Sequence, residues 1–195
     1  MIVHESKIKT LAKTHRWRRA RHDHYVEEPW VSERLFAVEE FNGSVYDPFC
    51  GFGHVVTSAR LHGYTAAGTD IVNRGFGNEC RDFFKDPTIW QNIVGNPPFD
   101  NSPALYRLAL QRCRHKLALV MPVARLNAAT WLRDTPLVRV WLLTPRPSMP
   151  PGPLYRRYLQ KGQRPRGGTI DFCWLVFDKA SGYEGRTGWL RREGR

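Results

Sequence analysis

Acidic residues are scarce in this chain. Its 195 residues hold 18 Asp and Glu against 30 Lys and Arg, a formal net charge of +12 with a pI near 10.0. Net charge speaks to partners and not to fold, but this pI lies past the guide value of about 9 for a nucleic-acid binder. Cysteine is sparse too. Cys50, Cys80, Cys113 and Cys173 stand far apart with no CxxC pair, which argues against a disulfide framework or a zinc site and predicts reduced thiols. No apolar run reaches the length of a membrane span, and the first residues hold no apolar signal core, so the expected location is cytoplasmic, without a membrane or metal partner. There is no internal repeat and no second-domain boundary. The length suits one α/β domain with a core of its own.

Residues 1–24 form a basic N-terminal arm. Lys7, Lys9, Lys13, Arg16, Arg18, Arg19 and Arg21 follow one another without an intervening acid, around Trp17. Such a run is either a solvated tail or an arm that orders on phosphate. His15, His22 and His24 match no metal spacing and read as polar surface.

From Tyr25 the character changes. Pro29 marks a helix start, and Val31, Leu35, Val38 and Phe41 follow at helical spacing up to Gly43. Ser44 to Asp47 reads as a strand, His54 to His62 as a helix and Tyr64 to Thr69 as a second strand. Between them lies a Gly-rich turn, so the unit is the start of a doubly wound sheet. A weak third strand falls near Cys80. Asn92 to Gly95 reads as a buried strand, Pro103 to Cys113 as a helix, Lys116 to Met121 as a strand and Leu126 to Arg133 as a short helix. Leu137–Leu143 and Ile170–Phe177 are two further strands with no helical pattern between them, hence an antiparallel hairpin. Their connection, 144–169, is rich in Pro, Gly and Arg. Arg146, Arg156, Arg157, Arg164 and Arg166, with Tyr155 and Tyr158 among them, suit phosphate contacts and base stacking; the competing reading is a basic insert without a job. Residues 180–195 read as a polar tail.

Three stretches carry chemistry. The loop Asp47-Pro48-Phe49-Cys50-Gly51-Phe52-Gly53 lets a nucleotide-like ligand approach the backbone. Asp70 comes 19 residues after Gly51, near the ~20 expected for an acid that accepts ribose hydroxyls. The loop lacks the third glycine of a dinucleotide site, which favours a ligand without phosphates. Asn96-Pro97-Pro98-Phe99 follows a strand and precedes a helix, the edge where open α/β sheets bind ligands. It offers a short amide, a rigid pair of prolines and a ring, which together suit a planar group bearing an NH2.

On these residues the chain resembles the S-adenosylmethionine-dependent amino-methyltransferases of the adenine-N6 DNA group. Asn96-Pro97-Pro98-Phe99 matches the group's catalytic [D/N/S]-P-P-[Y/F/W] motif, and the Asp47–Gly53 string is similar to its cofactor loop. The resemblance implies that Asp47, Phe49, Cys50, Gly51 and Gly53 form the cofactor loop and that Asp70 holds the ribose. It implies that Asp82 and Phe83 receive the cofactor's adenine, and that Tyr25 to Trp30, with Tyr25 and Pro29, covers the cofactor. It implies a Rossmann-like class I methyltransferase domain over 25–179, with a seven-stranded, mostly parallel sheet and a C-terminal antiparallel hairpin. The expected cofactor is S-adenosyl-L-methionine, and the expected partner is nucleic acid, DNA before RNA. The group's separate target-recognition domain has no counterpart, so 144–169 and Arg16, Arg18 and Arg19 of the arm are the candidates for that work. An RNA adenine methyltransferase and a non-catalytic nucleic-acid-binding module on the same fold are the competing readings. A glutamine-amide acceptor usually goes with Tyr at the Phe99 position, and a cytosine-N4 acceptor with Ser at the Asn96 position.

Overall fold

The computed structural model describes residues 24–76, 79–99, 102–181 and 186–193. Arg16, Arg18 and Arg19 therefore lie outside the described residues. The elements run α1 (Pro29–Phe36), β1 (Val45–Asp47), α2 (His54–Leu61), β2 (Ala66–Gly68), β3 (Asn92–Gly95), α3 (Ser102–Arg112), β4 (Lys116–Pro122), β5 (Leu137–Thr144), α4 (Gly152–Gln160), β6 (Phe172–Asp178) and β7 (Arg186–Arg191). One seven-stranded sheet has the order β2-β1-β3-β4-β6-β5-β7. Every pairing is parallel except those of β6, which runs antiparallel to both β4 and β5.

The apolar pattern explains the layers. In β4 and β6 almost every residue is buried, as strands covered on both faces require. Side chains alternate between those faces. Ala118 and Val120 join Trp174 and Val176 against Val31, Leu35, Val55 and Ala59 of α1 and α2. Leu117, Leu119 and Met121 join Leu175 and Phe177 against Leu105, Tyr106 and Ala109 of α3. The polar ends of the two largest fully buried side chains are satisfied: Trp174 Nε1 donates to Val31 O at 3.0 Å, and Tyr106 Oη to Val120 O at 2.7 Å.

Several elements differ from the sequence reading. α1 stops at Phe36, well before Phe41. Beyond it the chain turns so that buried Glu39 can accept from Lys116 Nζ (2.9 Å) and Trp141 Nε1 (2.8 Å) and form an ion pair with Arg139, 3.2 Å away, and Val38 is left 43% exposed. The third strand near Cys80 is a single parallel bridge to Asp70. Two 3-10 turns, 123–128 and 130–134, replace the short helix. The connection between β5 and β6 contains a helix, α4, started at Pro151 and Pro153 and pinned by buried Tyr155. The seventh strand comes from the stretch read as a polar tail: β7 pairs in parallel with β5 from Arg139↔Arg186 to Thr144↔Arg191. Only Leu190 of β7 is buried, which is why its sequence looks like a solvated tail.

Candidate active site

The sheet order reverses between β1 and β3, so the loops that follow these strands lie side by side outside their carboxyl ends. The strand ends are tightly apposed. A Cβ on Gly95 would stand 2.6 Å from Asp47 Oδ1, so only glycine fits there. A cleft enclosing about 750 Å³ of space open to solvent occupies this position. Tyr25, Phe49, Gly51, Asp70, Asp82 and Asn96 are among its lining residues. Stretches as far apart in sequence as Tyr25 and Asn96, 71 positions, thus meet in one cleft.

The cofactor-loop residues divide by role. Asp47 is fully buried and accepts the Phe49 N–H at 2.9 Å; it shapes the turn and does not line the cleft. Burial raises its carboxyl pKa well above the ordinary range. A folded-state pKa raised above the unfolded one gives stability that is present at low pH and lost as pH rises through the folded value. Thermal stability of the wild type is therefore expected to fall as pH rises above the unfolded Asp value, and Asp47→Asn to flatten that fall; thermal melts across pH check it. Phe49 meets Phe83 edge-on at 5.3 Å between centroids. Cys50 is buried and its thiol is pushed far up by desolvation, with Asp47 adding to it, so it is no nucleophile at neutral pH. Gly51 takes a positive φ of 51° and aims its N–H at Asp70 Oδ2, 3.1 Å away. Gly53 ends the loop at the start of α2.

Asp70 is a brace as well as a cleft wall. Beyond the Gly51 bond, its Oδ1 accepts the Val72 N–H at 3.0 Å and its Oδ2 the Arg74 guanidinium at 3.3 Å. An ionised carboxylate has about four acceptor positions, so room for a further donor remains. Asp82 Oδ1 caps its own turn by accepting the Phe84 N–H at 3.0 Å. Phe83 is 5% exposed, with the Arg112 guanidinium 5.2 Å from its ring centroid. Its neighbour Phe84 is 48% exposed and also lines the cleft. Two adjacent phenylalanines leave the sequence no means of telling which faces inward.

The N-terminal segment differs from its reading. His24 is not polar surface. Its ring lies 5.1 Å from Phe52, edge-on, within the cleft wall. Burial, and then Arg74, pull its pKa down to about 4, so it is neutral at neutral pH. Pro29 does not line the cleft; it is exposed and opens α1. Tyr25 does line it, and holds the connection through an antiparallel bridge to Pro151. Sequence reasoning also passed over Arg74, Arg81 and Glu27. Arg74 and Arg81 flank the acids they accompany; nothing about Glu27 in the sequence marks it.

Asn96 has the most informative environment. Its Nδ2 donates to Tyr25 O (3.1 Å) and to Glu27 Oε2 (2.9 Å). Both partners are acceptors, a carbonyl and a carboxylate, which fixes the orientation of the amide. Its Oδ1 is left buried without a partner, a state that costs roughly 1–3 kcal/mol. Pro97 is buried, and Pro98 joins Asn96 in the cleft wall. The Phe99 ring lies 5.7 Å from that of Phe172 at a 33° tilt, with the Arg125 guanidinium 6.0 Å from its centroid and bonded to the Phe99 carbonyl.

The proposed nucleic-acid residues are not equivalent. Arg146 forms a two-point ion pair with Asp171. Arg156 lies 5.0 Å above the Phe52 ring and donates to Arg74 O at 2.8 Å. Arg157, Arg164 and Arg166 are exposed. Tyr155 is 4% exposed and bonds His54 Nε2 at 3.3 Å, so its ring is core to α4 and not a stacking platform. Among the described residues no group of three or more His, Cys, Asp or Glu could hold a metal, and no helix is long and apolar enough to cross a membrane.

No protein-family model matches the chain, and no curated protein matches it. Solved structures do. The chain is similar to the modification subunit of a candidate type I restriction enzyme from Vibrio vulnificus YJ016, with 15% identity over 88% of this chain and 48% of that one and a TM-score of 0.56. It is similar to a candidate RNA methyltransferase from Pyrococcus horikoshii, with 12% identity over 77% and 81% of the two chains and a TM-score of 0.54. The M protein of the type I restriction enzyme EcoKI matches at 13% identity over 78% of this chain and 43% of that one, TM-score 0.51. The chain thus spans just under half of the two restriction-enzyme subunits. At such identities the likeness is one of fold: this is an α/β, Rossmann-like chain with the mixed seven-stranded sheet of the class I methyltransferases.

Proposed function

We propose that this chain transfers a methyl group from S-adenosylmethionine to the exocyclic N6 amine of adenine in DNA. The observation that carries the reading is that Asn96, whose side-chain Oδ1 is buried without a partner, lines a cleft that also holds Gly51, Asp70 and Asp82. An acceptor placed so is complete only when an N–H reaches it.

The cleft suits S-adenosylmethionine. Asp70 would take a ribose hydroxyl, Asp82 the adenine amino group, and Phe83 with Phe84 the flat face of that ring. Tyr25 and the Gly51 loop would border the amino-acid end. What the bound molecule supplies is an electrophilic methyl on a positively charged sulfur.

The chain's own residues make the acceptor competent. The N6 lone pair is delocalised into the purine ring, so the amine is a weak nucleophile. Asn96 Oδ1 accepts one amine N–H and the Pro97 carbonyl the other, which localises the lone pair and aims it. Phe99, with Arg125 beside it, is the stacking element for a base turned out of its helix, a step costing a few kcal/mol in duplex. The surplus proton leaves to solvent. Catalysis here is positioning and electrostatics.

The RNA reading keeps the same site chemistry; one structure of similar fold is described as a candidate RNA methyltransferase. Transfer of labelled methyl to duplex DNA, single-stranded DNA and RNA in parallel, followed by nucleoside analysis, tests the proposal. N6-methyladenine in DNA is the expected result. Label in RNA alone moves the substrate, and cofactor binding without label in any polymer overturns nucleic-acid methylation. Neutralising Arg157, Arg164 and Arg166 together is expected to make the slope of log affinity against log salt shallower, by about 0.9 for each duplex phosphate that these residues neutralise in the wild type. An unchanged slope means that they do not touch phosphate.

A further inference from the structure

We infer that Glu27 is a positioning residue for Asn96, one that fixes the side-chain amide with Oδ1 and not Nδ2 toward the acceptor amine. The chemical consequence rests on the adenine reading above; the contact itself does not. Glu27 is 7% exposed and its Oε2 lies 2.9 Å from Asn96 Nδ2. A carboxylate without a proton can only accept, so it holds the amide nitrogen and excludes the flipped rotamer. Without it, Tyr25 O alone opposes a flip that would present N–H to N–H. A carboxylate on the amide nitrogen also draws electron density toward the amide oxygen, which strengthens Oδ1 as an acceptor.

Glu27 is itself held on both sides. Val26 N donates to Pro150 O at 3.0 Å. The Glu27 carbonyl accepts the His54 Nδ1 proton at 2.8 Å, and His54 Nε2 in turn lies 3.3 Å from Tyr155 Oη. Glu28 is tied to the Ser148 N–H at 2.9 Å and to Arg192. The segment that orients Asn96 is thus clamped to the 144–151 stretch and to α2. Preorganised sites depend on support of this kind.

The test combines nuclear magnetic resonance with an amide–carboxylate exchange. The Asn96 side-chain NH2 signals, assigned by their loss in Asn96→Ala, are followed in Glu27→Leu and Glu27→Gln, with kcat and S-adenosylmethionine affinity measured alongside. In Glu27→Leu the NH2 protons are expected to lose their exchange protection and kcat to fall about 10- to 100-fold, the loss of one charge-assisted bond. Cofactor affinity should hold to within about threefold. Glu27→Gln, which can still accept but can also donate, should keep part of the protection and lose less rate than Glu27→Leu. Asn96→Asp sets two carboxylates together and should be nearly inactive. Adding Glu27→Gln restores a donor–acceptor pair with its direction reversed, and should recover roughly tenfold over Asn96→Asp, the size of one interaction energy between neighbours. Unchanged NH2 protection in Glu27→Leu overturns the inference. So does a double variant no faster than Asn96→Asp when the wild type is active. A wild type with protected NH2 protons, lost in Glu27→Leu, but no methyl transfer to nucleic acid supports the contact and overturns the adenine reading instead.

Discussion

Asn96→Ala is expected to lower kcat by about 10²- to 10³-fold, the usual loss when one preorganised polar group at a reacting centre is removed. S-adenosylmethionine should still bind, because Gly51, Asp70 and Asp82 are untouched. The two polar atoms of Asn96 are committed differently. Nδ2 is spent on Tyr25 O and Glu27, and Oδ1 is buried with no partner. Truncation removes the only atom of that side chain able to receive the amine. It also strips a donor from buried Glu27, so the melting temperature must be followed with the rate. A folded variant with wild-type turnover would remove Asn96 from the mechanism. Loss of rate and cofactor binding together would mean that it supports the cofactor instead.

The second large effect is on binding. Asp70→Asn is expected to weaken S-adenosylmethionine about 10- to 100-fold, since an acceptor bearing charge is replaced by a neutral amide. Calorimetric titration of the two variants should give opposite patterns: Asn96→Ala binds but does not turn over, and Asp70→Asn fails to bind at ordinary concentrations. Asp70 also braces Gly51, Val72 and Arg74, so part of its effect passes through the shape of the loop. Unchanged affinity in Asp70→Asn would leave Asp70 as that brace alone and dismiss it as the ribose acceptor.

The site was more legible in the sequence than the periphery of the fold. Asn92–Gly95 was marked by a short apolar run that meets two prolines, and the strand ends where that run ends. The Asp47–Gly53 turn and Asp70 were readable because the glycines and the acid fall at fixed offsets from strand ends. α4 was hidden because its residues are mostly Pro, Gly, Arg and Tyr, and only Gly152 and Tyr155 are buried. β7 was hidden for the same reason, with Leu190 as its one buried residue. Pro29 was placed at the cofactor by the resemblance of Tyr25 to Trp30 to a cofactor-covering segment, whereas it is exposed in the first turn of α1 and does not line the cleft.

Taken by itself, the sequence determined the fold class and the order of the motifs. Strand periodicity and the punctuation by glycine and proline are local, and local signals survive without knowledge of the partner strand. The tertiary structure alone decided which atoms are engaged. It turned Asp47 from a cleft residue into a buried turn former, His24 from surface into wall, and Tyr155 from a stacking ring into core. It set Glu27 against Asn96 across 69 residues of chain. Hydrogen-bond direction at a side-chain amide depends on what stands opposite it, and in this protein that is settled by how the segment before α1 docks beside the end of β3.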